Sequence, residues 1–469
     1  MIADLKPYAE YKDSGLMWLG KVPTHWDLRP AFGAFVPNHE RNLGMKEKTV
    51  LSLSYGRIVI KPAEKLHGLV PESFETYQIV NPGDIVLRTT DLQNDHTSLR
   101  VGMVNDRGII TSAYLALRSV RGVIPKFAFQ LLNVWDTSKA IYGYGSGLRQ
   151  GLDFSHFKRM PVAVPPSDEQ EAIVRFLDRA NGRLDRAIRA KRKVIALLNE
   201  QKQAIIHRAV TRGLDPSVPL KPSGIPWLGD IPSHWQIGKV KRFFRTCSGA
   251  TPSSGEVSLY YDGKIPWIRT MDLNNGVVDQ YAVGITQQAI EDTACKVLPI
   301  GTVLIAMYGG AGTIGKNGLL AIEASTNQAL CALLPSPRFE PKFVLYFMQF
   351  QRQYWMIGAD GTRKDPNISQ DRVRDCVLVL PPLSEQHQIV AFIDQNTMGL
   401  QVGISRRERE IDLLREYRTR LVADVVTGKL DVREAAAKLP AEEQTDGAEE
   451  EIADEAGERM EDEMTELVG

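Results

Sequence analysis

The sequence repeats itself, and no other feature limits its possible folds as much. Ser14-Gly-Leu-Met-Trp18-Leu-Gly20-Lys-Val-Pro23-Thr-His25-Trp26 returns as Ser223-Gly-Ile-Pro-Trp227-Leu-Gly229-Asp-Ile-Pro232-Ser-His234-Trp235, with eight of 13 positions identical at an offset of 209. Pro165-Pro-Ser-Asp-Glu169-Gln170-Glu-Ala-Ile173-Val174-Arg-Phe176-Leu-Asp178 returns as Pro381-Pro-Leu-Ser-Glu385-Gln386-His-Gln-Ile389-Val390-Ala-Phe392-Ile-Asp394, with eight of 14 identical at an offset of 216. A period of this size is far longer than a solenoid repeat and means two copies of a domain-sized unit. The offsets differ by seven, so the second copy is longer between its matched blocks. The sequence between the blocks is barely alike. Matching edges around divergent middles read either as ordinary drift after duplication or, the favoured reading, as edges that do the same job and middles that bind different things.

Each Pro-Pro element opens a helix. Pro166 and Pro382 end the strand-like runs Pro161-Val-Ala-Val164 and Val377-Leu-Val-Leu380. Asp168 and Ser384 are placed as N-caps, with Glu171 completing a capping box. Apolar residues then keep heptad spacing at Ile173, Leu177, Ala180, Leu184, Ala187, Val194, Leu198 and Ile205. In the second copy they fall at Ile389, Ile393, Leu400, Leu414, Tyr417 and Leu421, with Lys191, Arg407 and Gly403 as interruptions. A 4,3 spacing makes a narrow seam suited to one partner helix, so the two are expected to pair antiparallel as an imperfect coiled coil. No proline occurs in 167–215 or 383–427, which allows helices of about 65–70 Å. The expected class is α+β: two mixed modules in tandem, related by a pseudo-two-fold axis and separated by these helices.

In the middles, β-branched runs predict strands at Thr49–Leu53, Asp84–Leu87, Tyr114–Leu117, Val303–Ala306 and Ala329–Leu334. Helical periodicity marks Phe127–Trp135 and Pro341–Trp355. A tight turn through Gly83 resembles one through Gly301. The likeness of Arg88-Thr-Thr-Asp91-Leu to Arg269-Thr-Met-Asp272-Leu falls on opposite sides of that turn and is set aside as coincidence.

The zero net charge conceals an asymmetry. Residues 431–469 carry 15 acidic and 3 basic side chains, so residues 1–430 carry a net +12. A positive body suits a partner with a phosphate backbone. The acidic tail has too little apolar matter to order itself and is expected to be disordered or only transiently helical. No run is long and apolar enough to span a membrane, and the first residues lack the pattern of a signal peptide. The expected location is the cytoplasm. Cys247, Cys295, Cys331 and Cys376 have neither metal-ligand nor disulfide spacing and read as reduced, buried side chains.

The motif search yields no catalytic centre, metal site or cofactor site. Gly310-Ala-Gly-Thr-Ile-Gly315-Lys316-Asn317 nearly completes a P-loop, but Asn stands where a hydroxyl should hold magnesium. Leu319-Leu-Ala-Ile322 after it reads as a strand. A nucleotide hydrolase built on Lys316 is one rival reading, and a coiled-coil scaffold that reads no DNA is another. His25 and His234, beside Trp26 and Trp235, read as a packing element at the junction of module and helix. The polar inventory does suit base edges. In the first copy the candidates are Arg88, Thr89, Asp91, Gln93, Asn94, His96, Arg149 and Gln150. In the second they are Arg269, Asp272, Asn274, Asn275, Lys316, Asn327, Gln328, Arg363 and Lys364. Arg149 and Arg363 rank first because both follow Gly-rich turns in matching register. Each of these side chains is also an ordinary choice for a solvated loop.

Across residues 11–430 the chain resembles the specificity subunit of type I restriction–modification enzymes. The resemblance rests on Trp-Leu-Gly-x-x-Pro-x-His-Trp before each module and Pro-Pro-x-x-Glu-Gln-x-x-Ile-Val at each helix start. In the second copy Asn327-Gln328 and Gly301-Thr-Val-Leu add to it. It implies target-recognition domains at 1–164 and 215–380, spacer helices at 165–214 and 381–430, and an acidic tail at 431–469. It further implies that each domain reads one half of a bipartite, asymmetric DNA site. The helices would set the spacer and dock two modification (methyltransferase) subunits, joined by motor and nuclease restriction subunits. No catalytic residue is implied for this chain.

Overall fold

The structure, a computed structural model, describes residues 5–62, 73–90, 92, 99–144, 151–309, 312–355 and 367–440. They form two compact units, one drawn from Met1–Lys191 and Arg409–Glu450 and the other from Arg192–Glu408. Both mix helix and strand.

Unit 1 is built on an antiparallel sheet in the order Phe35–Pro37, Leu115–Ser119, Ile85–Leu87, Val101–Met103. Helix Pro125–Thr137 begins at a proline, which suits a first helical turn, and buries Phe127, Leu131, Leu132 and Trp135 in the core containing this sheet. Unit 2 has the matching order Thr246–Ser248, Leu330–Leu333, Val303–Ala306, Asn317–Leu320. The register is the same as well: Leu117 faces Ile85 as Leu333 faces Val303. Here Gly276–Val278 adds a fifth, parallel strand, and Tyr261–Ile268 forms a separate sheet with Gly284–Ile285 and Ser325–Thr326. The middles therefore share a sheet that their sequences barely reveal.

The strands expected from the sequence fall on observed ones within two residues, with Thr49–Leu53 lying on Leu51–Ser54. The expected helix Pro341–Trp355 ends at Gln351 and continues only as a 3-10 turn, Arg352–Tyr354. Arg88 follows strand Ile85–Leu87, whose counterpart is Val303–Ala306, whereas Arg269 follows Tyr261–Ile268. Their resemblance is indeed coincidental.

The long helices are Ser167–Arg212 and Leu383–Val426. Asp168 and Ser384 do not cap them. The carbonyls of Pro166 and Pro382 accept the first intrahelical bonds, from Gln170 N at 2.9 Å and Gln386 N at 3.0 Å, which puts Asp168 and Ser384 inside the first turn and Glu171 just past it. In unit 1 Asp185 pairs with Arg418 and Lys191 with Glu410, so numbering rises along one helix as it falls along the other. In unit 2 Lys202 donates to Gln401 at 2.7 Å. Under the 216-residue offset, this bond is the counterpart of Asp185–Arg418. The heptad expectation drifts, because a straight helix advances about 20° per heptad past a strict seven-residue repeat. Ile188, Ile206, Ile404 and Ile411 are buried, while Val194 and Tyr417 are exposed.

The last turn of the first long helix meets the Trp block of unit 2, and that of the second meets the Trp block of unit 1. Gly428 has φ +75°, and a Cβ there would lie 2.4 Å from Pro23 Cδ; Gly213 has φ +67° and looser surroundings, 3.0 Å from Glu385 Oε1 and 3.3 Å from Trp235. Combining left-handed strain with overpacking, Gly428→Ala is expected to destabilise unit 1 by about 3 kcal/mol and Gly213→Ala to destabilise unit 2 by about half that. Urea midpoints of the two variants check the ranking.

The acidic tail starts later than expected. Asp431 N bonds to Lys6 O at 2.8 Å, Arg433–Ala437 is helical, and Val432 and Ala436 are fully buried with Tyr8 and Trp26. Two apolar residues at i and i+4 suffice to dock this turn despite its acidic neighbours. Residues 441–469 lie outside the described residues. Cys295, Cys331 and Cys376 are buried and Cys247 is half-buried, all as free thiols, and burial pushes the Cys331 thiol up to about 12. Among the described residues, no helix is long and apolar enough to cross a membrane.

Candidate nucleic-acid interface

A reader of base edges needs polar side chains on loops held by a rigid frame. In unit 2 that frame is a pair of parallel strands, with Trp267 facing Ser325 and Ile268 facing Thr326. Arg269 and Asn327 leave these strands together, joined by an Asn327 N–Ile268 O bond of 3.1 Å. Asp272 accepts from Arg269 N at 2.8 Å and also faces its guanidinium. Gln328 is exposed and accepts from the Thr251 hydroxyl. Asn275, left-handed at φ +58°, accepts from Asn317 N at 3.2 Å. Lys316 is held through its carbonyl by Ala306 N, and Met307 N bonds to Ala329 O. Arg269, Asp272, Asn275, Lys316, Asn327 and Gln328 thus gather around the end of the central strand Val303–Ala306. Asn317 Oδ1 and Asn327 Oδ1 are buried there with no hydrogen-bond partner. Such atoms each cost about 1–3 kcal/mol and concentrate where a fold keeps polarity for a purpose. Lys316 does not open a helix, because Asn317–Leu320 is a strand, so the P-loop likeness fails structurally.

In unit 1, Arg88 N bonds to Arg100 O at 2.8 Å, and Leu152 N bonds to Thr89 O at 2.9 Å. The loop entered at Arg88 therefore lies beside the chain that emerges after Gln150. Thr89 itself is buried, its hydroxyl directed at Ala113 O, so it supports the loop and offers no donor to a ligand. Asp91, Gln93, Asn94, His96, Arg149, Gln150, Arg363 and Lys364 lie outside the described residues. Ile368 N, the counterpart of Leu152 N, bonds to Met307 O at 2.9 Å, so both units tie this segment to the end of the same central strand.

Two features escaped the sequence reading. Arg100 is fully buried and donates to Thr90 O at 2.8 Å and Tyr142 OH at 3.2 Å, bracing the loop from beneath; a charge within an apolar strand run was its only sequence trace. A cleft of about 490 Å³ also opens beside Asn38, His39, Arg41, Gln78 and Tyr114. Gln78 is spent holding Thr111 O and Tyr114 O, while His39 and Arg41 are the groups able to address a ligand.

Beneath each set of loops the repeated residues build one joint. In unit 1 Glu169, 2% exposed, accepts from His25 Nε2 at 2.8 Å, from Trp26 Nε1 at 2.9 Å and from the Tyr8 hydroxyl. Burial and the Glu169 carboxylate both hold the Tyr8 hydroxyl well above its usual range. In unit 2 Glu385 accepts from His234 Nε2 at 2.8 Å and Trp235 Nε1 at 3.1 Å. Gln170 donates to Gly122 O and Pro165 O and accepts from Ile124 N; Gln386 does the same with Arg338 O, Pro381 O and Glu340 N. The histidines expected to pack at the junction of module and helix do so.

Residues 232–404 match the family model described as the type I restriction modification DNA specificity domain. The chain is 22% identical to the EcoR124I/EcoR124II type I restriction enzyme specificity subunit of Escherichia coli over 305 residues, 62% of this chain and 69% of that one. It is 25% identical to the MjaIX specificity subunit of Methanocaldococcus jannaschii over 172 residues, 35% of this chain and 38% of that one. Its fold is similar to a chain from a study of complex assembly and conformational transition of the type I restriction–modification system, with a TM-score of 0.58, 16% identity, and coverage of 87% of this chain and 99% of that one.

Proposed function

We infer that this chain is the DNA specificity subunit of a type I restriction–modification system, with its two unlike sets of loops reading the two halves of one bipartite, asymmetric site. The observation that carries this reading is the doubled joint. The His-Trp contacts of Glu169 and Glu385 and the backbone contacts of Gln170 and Gln386 repeat bond for bond, Tyr8 being an addition of unit 1, while the loops above them differ between units. Lysines and arginines meet phosphates and fix register, and a few side chains around Arg269, Asn327, Gln328 and Arg88 meet base edges. Target-recognition domains occupy 1–164 and 215–380. The helices at 165–214 and 381–430 act as an antiparallel coiled-coil spacer about a pseudo-two-fold axis and dock two modification subunits, to which restriction subunits attach. Both the reciprocal Asp185–Arg418 and Lys202–Gln401 bonds and the family match support this reading. The chain itself contributes no catalytic group and works in the cytoplasm.

Methylome mapping of cells that carry this chain with its modification partner tests the reading. The expected result is one motif of two different half-sites around an unread gap of fixed length. A continuous motif, or no chain-dependent methylation, would refute it.

A further inference from the structure

On the first long helix, Arg175, Arg179, Arg183, Arg186 and Arg189 follow one another at steps of four, four, three and three residues. At about 100° per residue they fall on one face, opposite the buried Ile173, Leu177, Ala180, Leu184 and Ile188. The stripe covers about 21 Å of helix. Four of its arginines are exposed and Arg189 is half-buried. Beside the stripe, Asp178 pairs with Lys126 at 3.1 Å and Asp185 with Arg418, and Asp168 and Glu171 lie on the arginine face only before its first member, Arg175. Nothing in the repeated architecture calls for this charge. The equivalent positions in the second copy are Ala391, Gln395, Gly399, Val402 and Ser405, and that helix folds without them. Five like charges on one helix face repel one another, so this stripe is a feature of the first copy alone that wants a polyanion.

We propose that the stripe Arg175–Arg189 is the docking surface for the chain's own acidic segment, residues 441–469. That segment carries 13 acidic side chains and one basic one, a net −12 against the +12 of the rest of the chain. It leaves unit 1 at Pro440, directly after a turn whose Ala436 shares one hydrophobic cluster with Phe176, Leu177 and Ala180 on the inner face of the arginine helix. Twenty-nine residues reach about 95 Å when extended, so length does not limit contact. Tethering presents the segment at roughly millimolar effective concentration, which favours it over any free polyanion at micromolar levels. The stripe is thereby shielded from non-specific contact with nucleic acid.

A fluorescent peptide of residues 441–469 tests this against a chain ending at Pro440, followed by anisotropy at about 50 mM salt and without DNA. Saturable binding is expected. It should weaken at least ten-fold in the chain carrying Gln at all five stripe positions, whose melting temperature should be little changed because four of these side chains are exposed and Gln keeps the inner part of the half-buried Arg189 side chain. A control with Gln at Lys21, Arg57, Lys61, Arg121 and Arg159 loses the same charge and should bind as the parent does. The full-length chain, its stripe already occupied, should bind the peptide at least ten-fold more weakly than the truncated one. Absence of saturable binding, equal loss in stripe and control variants, or equal binding by full-length and truncated chains each overturns the proposal. Since no DNA is present, failure here leaves the specificity-subunit reading standing.

Discussion

Glu169→Ala is expected to destabilise unit 1 by about 3–5 kcal/mol, and Glu385→Ala to destabilise unit 2 by only about 1–2 kcal/mol. The two residues are equivalent under the repeat, yet their settings differ. Glu169 is 2% exposed and serves three donors, of which the Trp26 indole is fully buried. Its removal leaves Trp26 Nε1 and the Tyr8 hydroxyl without an acceptor in a place water does not reach. The Glu385 side chain is 22% exposed, and its His234 partner is 41% exposed, so solvent replaces part of what is lost. The repeat has no second Tyr8: the position 209 residues on is Ser217. Chemical denaturation should resolve two transitions, with Glu169→Ala moving one much further than Glu385→Ala moves the other. Equal shifts would show that the third donor and the deeper burial count for nothing.

The second large effect concerns recognition. Replacing residues 27–160 with the corresponding segment of a related chain is expected to change one half-site completely and leave the other intact. Affinity for the parental site should drop by about three orders of magnitude or more, the usual gap between specific and non-specific binding. The joint tolerates such an exchange because Gln170 grips backbone atoms of the exchanged segment, Gly122 O and Ile124 N. Any sequence that presents a carbonyl and an N–H at that turn fits. Sequencing the methylated sites made by the chimera with its modification partner reads the outcome, and a change in both half-sites would contradict independent reading.

What the sequence made legible followed from local rules and from the repeat. Pro161–Val164 and Val377–Leu380 were read to the residue because Pro-Pro ends each strand and starts the next helix. The long helices were visible as proline-free amphipathic runs. The function of Glu169 and Glu385 was not visible, since a Glu two residues after the helix start looks like an ordinary first-turn acid; only the fold brings His-Trp from 143 residues away to meet it. The N-caps were misplaced because a Pro carbonyl serves the same acceptor role without a side-chain signature. The shared sheet was hidden because buried strands accept almost any apolar residue, so register survived while identity drifted. Arg100 was missed for the opposite reason: its role depends on Arg88, Thr90 and Tyr142, three residues scattered in sequence. Of the base-reading candidates, the described ones of unit 2 gather at one strand end, whereas Thr89 turned inward, a distinction that burial decides and sequence pattern does not.

The most direct test of the central claim is the length of the unread gap. Deleting one heptad from each long helix, residues 192–198 and 404–410, removes about 10 Å of helix, or about three base pairs at 3.4 Å each. With the modification partner present, the methylated motif should keep both half-sites and shorten its gap by about that amount. The same half-sites at an unchanged gap would contradict the spacer role of the helices, and with it the claim that this fold measures distance along DNA.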